Sequence, residues 1–249
     1  MKWPTLKDKT KIIILINIII IFLGIILTVY GYFKNDQIII NVGAGLVTSG
    51  IVAIFYLIYP HLDIEKDYLR FRKMGFLDVY PRRDQSKDYD DLLKKAEKNI
   101  DVLGLGLNQF REDNEAIIKE KALQGVAIRL LVIDPKSPVT AIRSYQENDL
   151  EGETIGIPIK KLKNYVNEVN EIIGKSKKGK KIQIKCYNAV PSTMVFRIDN
   201  IMFVGPYFHK IPSRTTITYK IEIDTECFNQ YEKHFDQLWN DKECTYDLE

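Results

Sequence analysis

Carboxylates are nearly missing from the front of this 249-residue chain: residues 1–59 hold Asp8, Asp36 and no other acid. Cysteine is sparse as well. Cys186, Cys227 and Cys244 are odd in number and widely spaced, with no C-x-x-C pair, which excludes a disulfide framework and a cysteine-based zinc site. Free thiols in a reducing compartment are the expectation. Histidine is limited to His61, His209 and His234, and no Walker loop, EF-hand loop or zinc motif occurs. Gly104-x-Gly106 lacks the third glycine and the downstream acid of a dinucleotide fingerprint. No metal or cofactor is therefore expected. A large excess of positive charge is also absent. Lys and Arg total 36 against 33 Asp and Glu, and the net +3 arises within residues 1–37, where Lys2, Lys7, Lys9, Lys11 and Lys34 face the two acids. The neutral remainder excludes a protein that coats DNA by charge alone.

What the front of the chain does have is apolar length. Ile12 to Phe33 is a 22-residue run interrupted only by Asn17 and Thr28. At ~1.5 Å per residue it covers roughly 33 Å, enough for the ~30 Å hydrocarbon layer of a bilayer. It is too long for a signal peptide and is followed by no small-residue cleavage site. Lys34 to Gln37 is a polar turn, and Ile38 to Tyr59 is a second run of the same length, ended by Pro60. Two antiparallel helices follow, because backbone in lipid must satisfy its own hydrogen bonds. Tyr30, Tyr32, Tyr56 and Tyr59 lie near the span ends, where amphipathic rings prefer the interface. Four lysines precede the first span, and Arg70, Arg72, Lys73, Arg82 and Arg83 follow the second, against Lys34 in the turn. The positive-inside rule then puts both termini in the cytoplasm. In the second span Gly45, Ser49 and Ala53 recur every four residues. Such a stripe either packs the two helices of one hairpin or packs several subunits around a pore. Asn17 is an inter-helix bridge or a pore-facing group. No ionisable residue sits mid-span, which argues against a proton relay or voltage sensor.

The chain divides into a transmembrane hairpin (1–60), a charged helical stalk and linker (61–88) that is either a passive spacer or a carrier of motion, and a cytosolic α/β domain (89–249). Pro81 to Ser86 marks the boundary. Helices are expected over Asp90–Lys98, Asn114–Gly125, Ile159–Ile173 and Glu226–Asn240. Strands are expected over Ile100–Leu107, Ala127–Ile133, Ile182–Tyr187, Met194–Ile198, Ile201–Val204 and Thr215–Ile223, with Asp199-Asn200 as a hairpin turn. Ala127–Ile133 is apolar almost throughout, the mark of burial on both faces. The lysines of "GKSKKGKK", at 175, 177, 178, 180 and 181, are either a solvated turn or a lure for an oligonucleotide or anionic headgroups. They lack interleaved aromatics for base stacking.

Over about residues 89–241 this order resembles one half of a phospholipase D-like (HKD) domain. The anchors are the Ile100–Leu107 strand and loop, "ALQGVAIRLLVIDP" (122–135), "MVFRIDNIMFVGPY" (194–207) and "YEKHFDQLW" (231–239). The family motif is His-x-Lys, four residues, then Asp, followed by an apolar strand and Gly-Ser. Aligned on Asp199 and Gly205, this chain has Ser192 in place of the nucleophilic His, Met194 in place of the phosphate-binding Lys, and Pro206 in place of the Ser. Glu222 matches the late acidic residue. Phosphodiester exchange needs one imidazole to attack and another to protonate the leaving group. The resemblance thus implies a phosphodiester pocket whose binding is kept and whose cleavage is lost. Asn108, Arg111, Lys185, Ser192, Arg197, His209, Lys210, Ser213, Arg214 and Glu222 are the candidate ligand contacts.

The whole layout looks like that of two-span effectors in bacterial anti-phage defence. The expectation is a ligand-gated membrane protein of the bacterial inner membrane, contacting lipid, binding a nucleotide or short oligonucleotide, and assembled as a tetramer or other small ring, since two spans enclose no aqueous path. The alternatives are a membrane-tethered phosphodiesterase, nuclease or phospholipase, using His209 and Glu222, and a membrane scaffold for a partner protein.

Overall fold

The computed structural model describes residues 8–83, 88–146 and 155–248. The first lysines, Lys2 and Lys7, and the Asp84–Ser86 part of the expected boundary lie outside the described residues, as do the side chains of Lys9, Lys11 and residues 60–67, His61 among them. The chain forms two compact units, Met1–Arg70 and Phe71–Glu249.

The first unit is a helical hairpin. α1 (Asp8–Lys34) and α2 (Gln37–Met74) contain stretches long and apolar enough to cross a membrane, Ile12–Lys34 and Gln37–Tyr59, with 6% and 11% of their most apolar windows buried. The turn is specified locally. Asn35 adopts a left-handed φ of 54°, which stops α1, and Asp36 Oδ1 accepts from Ile38 N at 2.9 Å and Ile39 N at 3.2 Å, capping α2. The helices approach through glycine. A Cβ on Gly24 would lie 2.8 Å from the Gly43 carbonyl oxygen, and one on Gly50 would lie 2.5 Å from Ile21. Gly31 meets Ile40 in the same way, so the seam is Gly24 and Gly31 against Gly43 and Gly50, each pair seven residues apart.

One open alternative closes here and one expectation changes. The Gly45 stripe does not make this seam: among the described residues nothing beyond its own stretch of helix lies within 4 Å of a Cβ on Gly45, Ser49 is exposed, and Ala53 is half-buried. Pro60 does not end the helix, which continues to Met74. A proline inside a helix forfeits one hydrogen bond and adds a local clash, without requiring the backbone to leave the helix.

The second unit is an eight-stranded mixed sheet ordered β1-β7-β6-β5-β2-β3-β4-β8. In chain order its elements are β1 (Phe76–Tyr80), α3 (Tyr89–Lys95), β2 (Asn99–Gly104), α4 (Asn108–Gln124), β3 (Ala127–Ile133), α5 (Pro138–Gln146), α6 (Gly156–Ile173), β4 (Gln183–Tyr187), β5 (Thr193–Ile198), β6 (Ile201–Pro206), β7 (Thr218–Glu222), α7 (Glu226–Asn240) and β8 (Thr245–Asp247). Strands β2, β3 and β4 are parallel, and the other pairings are antiparallel. Side-chain alternation along β5 separates the two faces. Phe196 packs on Tyr89 of α3 and Phe110 of α4, whereas Arg197 reaches Glu232 and Phe228 of α7. The core is aliphatic at its centre, with Ile100, Ile118, Leu130, Leu131 and Ile133 fully buried. Gly125 closes α4 at φ 95°, donating to Ala122, while Val126 donates to Lys121.

The sheet begins inside the segment read as linker. Gly75 (φ 101°) separates α2 from β1, donates to the Arg72 carbonyl, and accepts from Glu222 N at 3.0 Å. All three cysteines are free thiols, and burial pushes Cys186 up to about 12.

Candidate functional site

Strand register gives the sheet two ends. At one, the carboxyl ends of β2, β3 and β4 meet the start of β5, the close of β6 around Gly205, and the start of β7. At the other lie Asn99, the Asp199-Asn200 turn, Glu222 and Gly75.

The Gly205 end gathers most of the expected ligand contacts. Ser192 is exposed ahead of β5, and its carbonyl accepts from Tyr207 N at 3.2 Å. His209, Lys210 and Arg214 are exposed on the β6–β7 connection, with Lys210 in a left-handed conformation. Ser213 is half-buried in the same connection, its carbonyl accepting from the Thr216 hydroxyl at 2.8 Å. Asn108 and Arg111 lie on the first turn of α4 rather than in a loop. Arg111 is held by Glu115 and by Glu112 at 3.1 Å, so its charge is largely spent within its own helix. Met194, at the motif position of the lysine, is buried.

The remaining candidates are elsewhere. Lys185 lies on β4 beneath α7, donating to the Trp239 carbonyl at 3.1 Å with its ammonium 4.9 Å from the Trp239 ring centre. Glu222 sits at the Asp199 end, 3.4 Å from Arg72. His209 and Glu222 therefore flank opposite ends of β6 and β7, a separation of roughly 15 Å at ~3.3 Å per residue. An acid and a base that share a proton need hydrogen-bond reach. The structure does not bring this pair together.

Arg197 and Asp199 have structural work. The Asp199 carboxylate accepts three backbone N–H groups, from Glu97, Lys98 and Asn99, each at 2.8 Å. Asp199 itself takes φ 49°, which the two-residue turn requires and Asp tolerates. Arg197 pairs with Glu232 and lies 3.7 Å from Asp101. Asp101, only 2% exposed, also holds Arg129 through two contacts of 2.6 and 2.9 Å, and Arg129 continues to Asp236 at 2.8 Å. Burial works against the Arg129 charge, but the Asp101 and Asp236 carboxylates outweigh it and raise its pKa. The guanidinium lies over Phe235 and Trp239, so this network fastens α7 to the sheet. Charged residues at inward positions of apolar strands, Asp101 and Arg129, were the sequence signal for it.

The sequence reading missed Arg143. It lies on α5, is 5% exposed, and donates to the Phe208 carbonyl at 2.8 Å and the Ile211 carbonyl at 3.3 Å, with its guanidinium carbon 5.5 Å from the Tyr207 ring centre. It thereby fixes the connection that carries His209 and Lys210. The hydroxyls of Tyr187 and Thr218 are buried at the same end, with no hydrogen-bond partner among the described residues. Burial, followed by the neighbouring Tyr207, pushes the Tyr187 phenol well above its usual value. A shallow depression runs along the outer side of α7, and a closed gap lies around Asp101 and Arg129; neither is at the Gly205 end. Among the described residues no three His, Cys, Asp or Glu are grouped to share a metal ion. The Gly205 end presents two exposed cations, Lys210 and Arg214, and the exposed Ser192.

No family model and no curated protein matches the chain. Among solved structures, TrmBL2, an archaeal chromatin protein described as showing a novel mode of DNA binding, is similar at a TM-score of 0.42 and 12% identity, over 81% of this chain and 69% of that one. NucT from Helicobacter pylori is similar at 0.41 and 12% identity, over 69% of this chain and 98% of that one. Likeness this loose establishes no shared fold.

Proposed function

We propose that this protein is a membrane effector of the bacterial inner membrane, with both termini cytoplasmic. Several copies assemble through their hairpins, and a nucleotide or short oligonucleotide bound at the Gly205 end controls the pathway they form. The domain is a phospholipase D-like half without the reaction, and anti-phage defence is the setting such a layout suits. The observation that carries the reading is the unused side of α2. The hairpin closes on Gly24, Gly31, Gly43 and Gly50, while Gly45 has open space around it and Ser49 is exposed. Small residues on a lipid-facing side permit close approach by another helix, and two spans alone cannot enclose water.

A route for control runs through the sheet. The last turn of α2 leads through Gly75 to β1, which pairs along β7 from Ile221 to Thr218 and so extends from the Asp199 end to the Gly205 end. A ligand shifts such a system only if it binds the two states with different affinity.

The test is ion flux from liposomes containing the full chain, with and without short oligonucleotides or cyclic nucleotides. Ligand-dependent flux, lost in Gly45→Leu together with the oligomer, is the expected result. Flux indifferent to every ligand would overturn ligand control. Phosphodiester turnover by the purified protein would make it an enzyme instead.

A further inference from the structure

The lysines at 175, 177, 178, 180 and 181 find no role in the Gly205 end, because the sheet separates them from it. They lie between α6 and β4, and β4 begins at the Asp199 end. The loop is built rather than loose. Lys180 N donates to the Ala122 carbonyl at 2.9 Å, and the Lys178 carbonyl packs so closely on Gly125 that a Cβ there would be 2.9 Å away. The Asn170 side chain pins the loop's exit, accepting from Ile182 N at 2.8 Å and donating to its carbonyl at 2.9 Å. Gly179 N donates to the Ser176 hydroxyl at 3.3 Å. On this fixed backbone all five lysines are exposed, and none forms an ion pair among the described residues.

Lys94, Lys95 and Lys98, also exposed, precede β2 at the same end. Exposed acids are interspersed: Glu168 and Glu171 on the last turns of α6, Glu120 near the end of α4, Glu97 between the lysines, and Asp224, Glu226 and Asp247 to the sides. The five loop lysines with Lys94, Lys95 and Lys98 therefore leave the face about balanced overall and positive only at the loop itself. The last turn of α2 enters the domain at this end, through Gly75 beside Glu222. Residues 60–74 of α2 are helical, about 22 Å of chain at ~1.5 Å per residue between the second apolar run and the sheet. Attraction between a basic loop and an anionic surface persists over a Debye length of about 8–10 Å.

We propose that the 175–181 loop is a contact for anionic lipid headgroups, drawing the Asp199 end of the domain toward the bilayer. The proposal rests on the membrane reading of the hairpin. Nucleic acid is the less suited occupant: residues 174–181 carry no aromatic ring for base stacking, and the loop faces the side from which the chain arrives.

The test uses the full chain with Cys227→Ser, Cys244→Ser and Gly174→Cys, where an added Cβ meets nothing closer than 3.5 Å. A dye on that cysteine reports proximity to nitroxide-labelled headgroups. In vesicles of phosphatidylcholine with about a third phosphatidylglycerol, quenching should exceed that in pure phosphatidylcholine by at least about threefold and fall away in 0.5 M salt, since each lysine near such a surface shifts the balance by roughly fivefold. K177Q/K178Q/K180Q/K181Q should abolish the difference while remaining resistant to alkaline extraction. Equal quenching in the two lipids by an extraction-resistant protein would overturn the loop contact and leave the hairpin reading intact. Release at alkaline pH would remove the hairpin reading and the contact with it. Protection of the dye by a 20-nucleotide DNA in pure phosphatidylcholine would assign the loop to nucleic acid and overturn the lipid proposal.

Discussion

The hairpin and the α/β unit solve opposite packing problems with the same residue types. In the hairpin, Ile12, Leu15, Phe22, Ile25, Val42 and Phe55 point outward and the buried seam is glycine. In the sheet, Ile100, Leu130, Leu131 and Phe203 point inward, and the buried carboxylate of Asp101 is matched by Arg129. The difference agrees with the proposed placement, hydrocarbon around the hairpin and water around the α/β unit. Water drives apolar side chains together, whereas in hydrocarbon an isoleucine gains little by hiding, and close backbone contact decides the packing.

The largest expected effect breaks the matched charge. Asp101→Ala leaves Arg129 and Arg197 short of their buried carboxylate, and unfolding of the α/β unit should become easier by about 3–5 kcal/mol. Denaturant titration followed by the near-ultraviolet signal of Trp239 would measure this, with cross-linking between α1 and α2 unchanged. Asp199→Ala comes next, at roughly 2–3 kcal/mol, because three backbone donors lose a charged acceptor; Asn in its place should recover part of the loss. In the other unit, Gly43→Leu forces a side chain into Thr28 and should weaken the hairpin by about 1–3 kcal/mol, seen as fewer α1–α2 cross-links. Gly45→Leu should leave those cross-links as they are. Equal effects of the two leucines would dissolve the distinction between a used and an unused side of α2.

The smallest effect is titration of His234. Burial lowers its pKa below the ordinary 6.5, so the unfolded chain binds the proton more readily than the folded one. Stability contributed by the neutral ring is present above pH 6.5 and declines as pH falls through the folded value. His234→Gln should flatten that part of the stability profile.

The features legible in the sequence had strong local causes. The apolar runs, the α7 boundaries at Glu226 and Asn240, the Gly125 stop and the Asp199-Asn200 turn all follow from composition or backbone chemistry within a few residues. The misses had distant causes. β1 pairs with β7, some 140 residues away, and its Phe-Leu-Asp-Val-Tyr follows a helix without a break in composition beyond Gly75. β8 is three residues long and is defined by β4 alone. α5 begins with proline and carries β-branched residues, a poor helix by propensity that is held through Arg143. The candidate site was half legible for a related reason. Residue type identified donors, but not which face of the sheet they occupy, and Lys185 and Arg197 face α7, whose backbone and acids engage them.

One carboxylate serving three peptide amides has a corollary for anyone hunting relatives by signature. An acid at position 199 is useful to any chain that turns this corner, whether or not it ever handles a phosphoester. The letter most easily spotted in the motif is masonry, and its presence carries no news about reactivity.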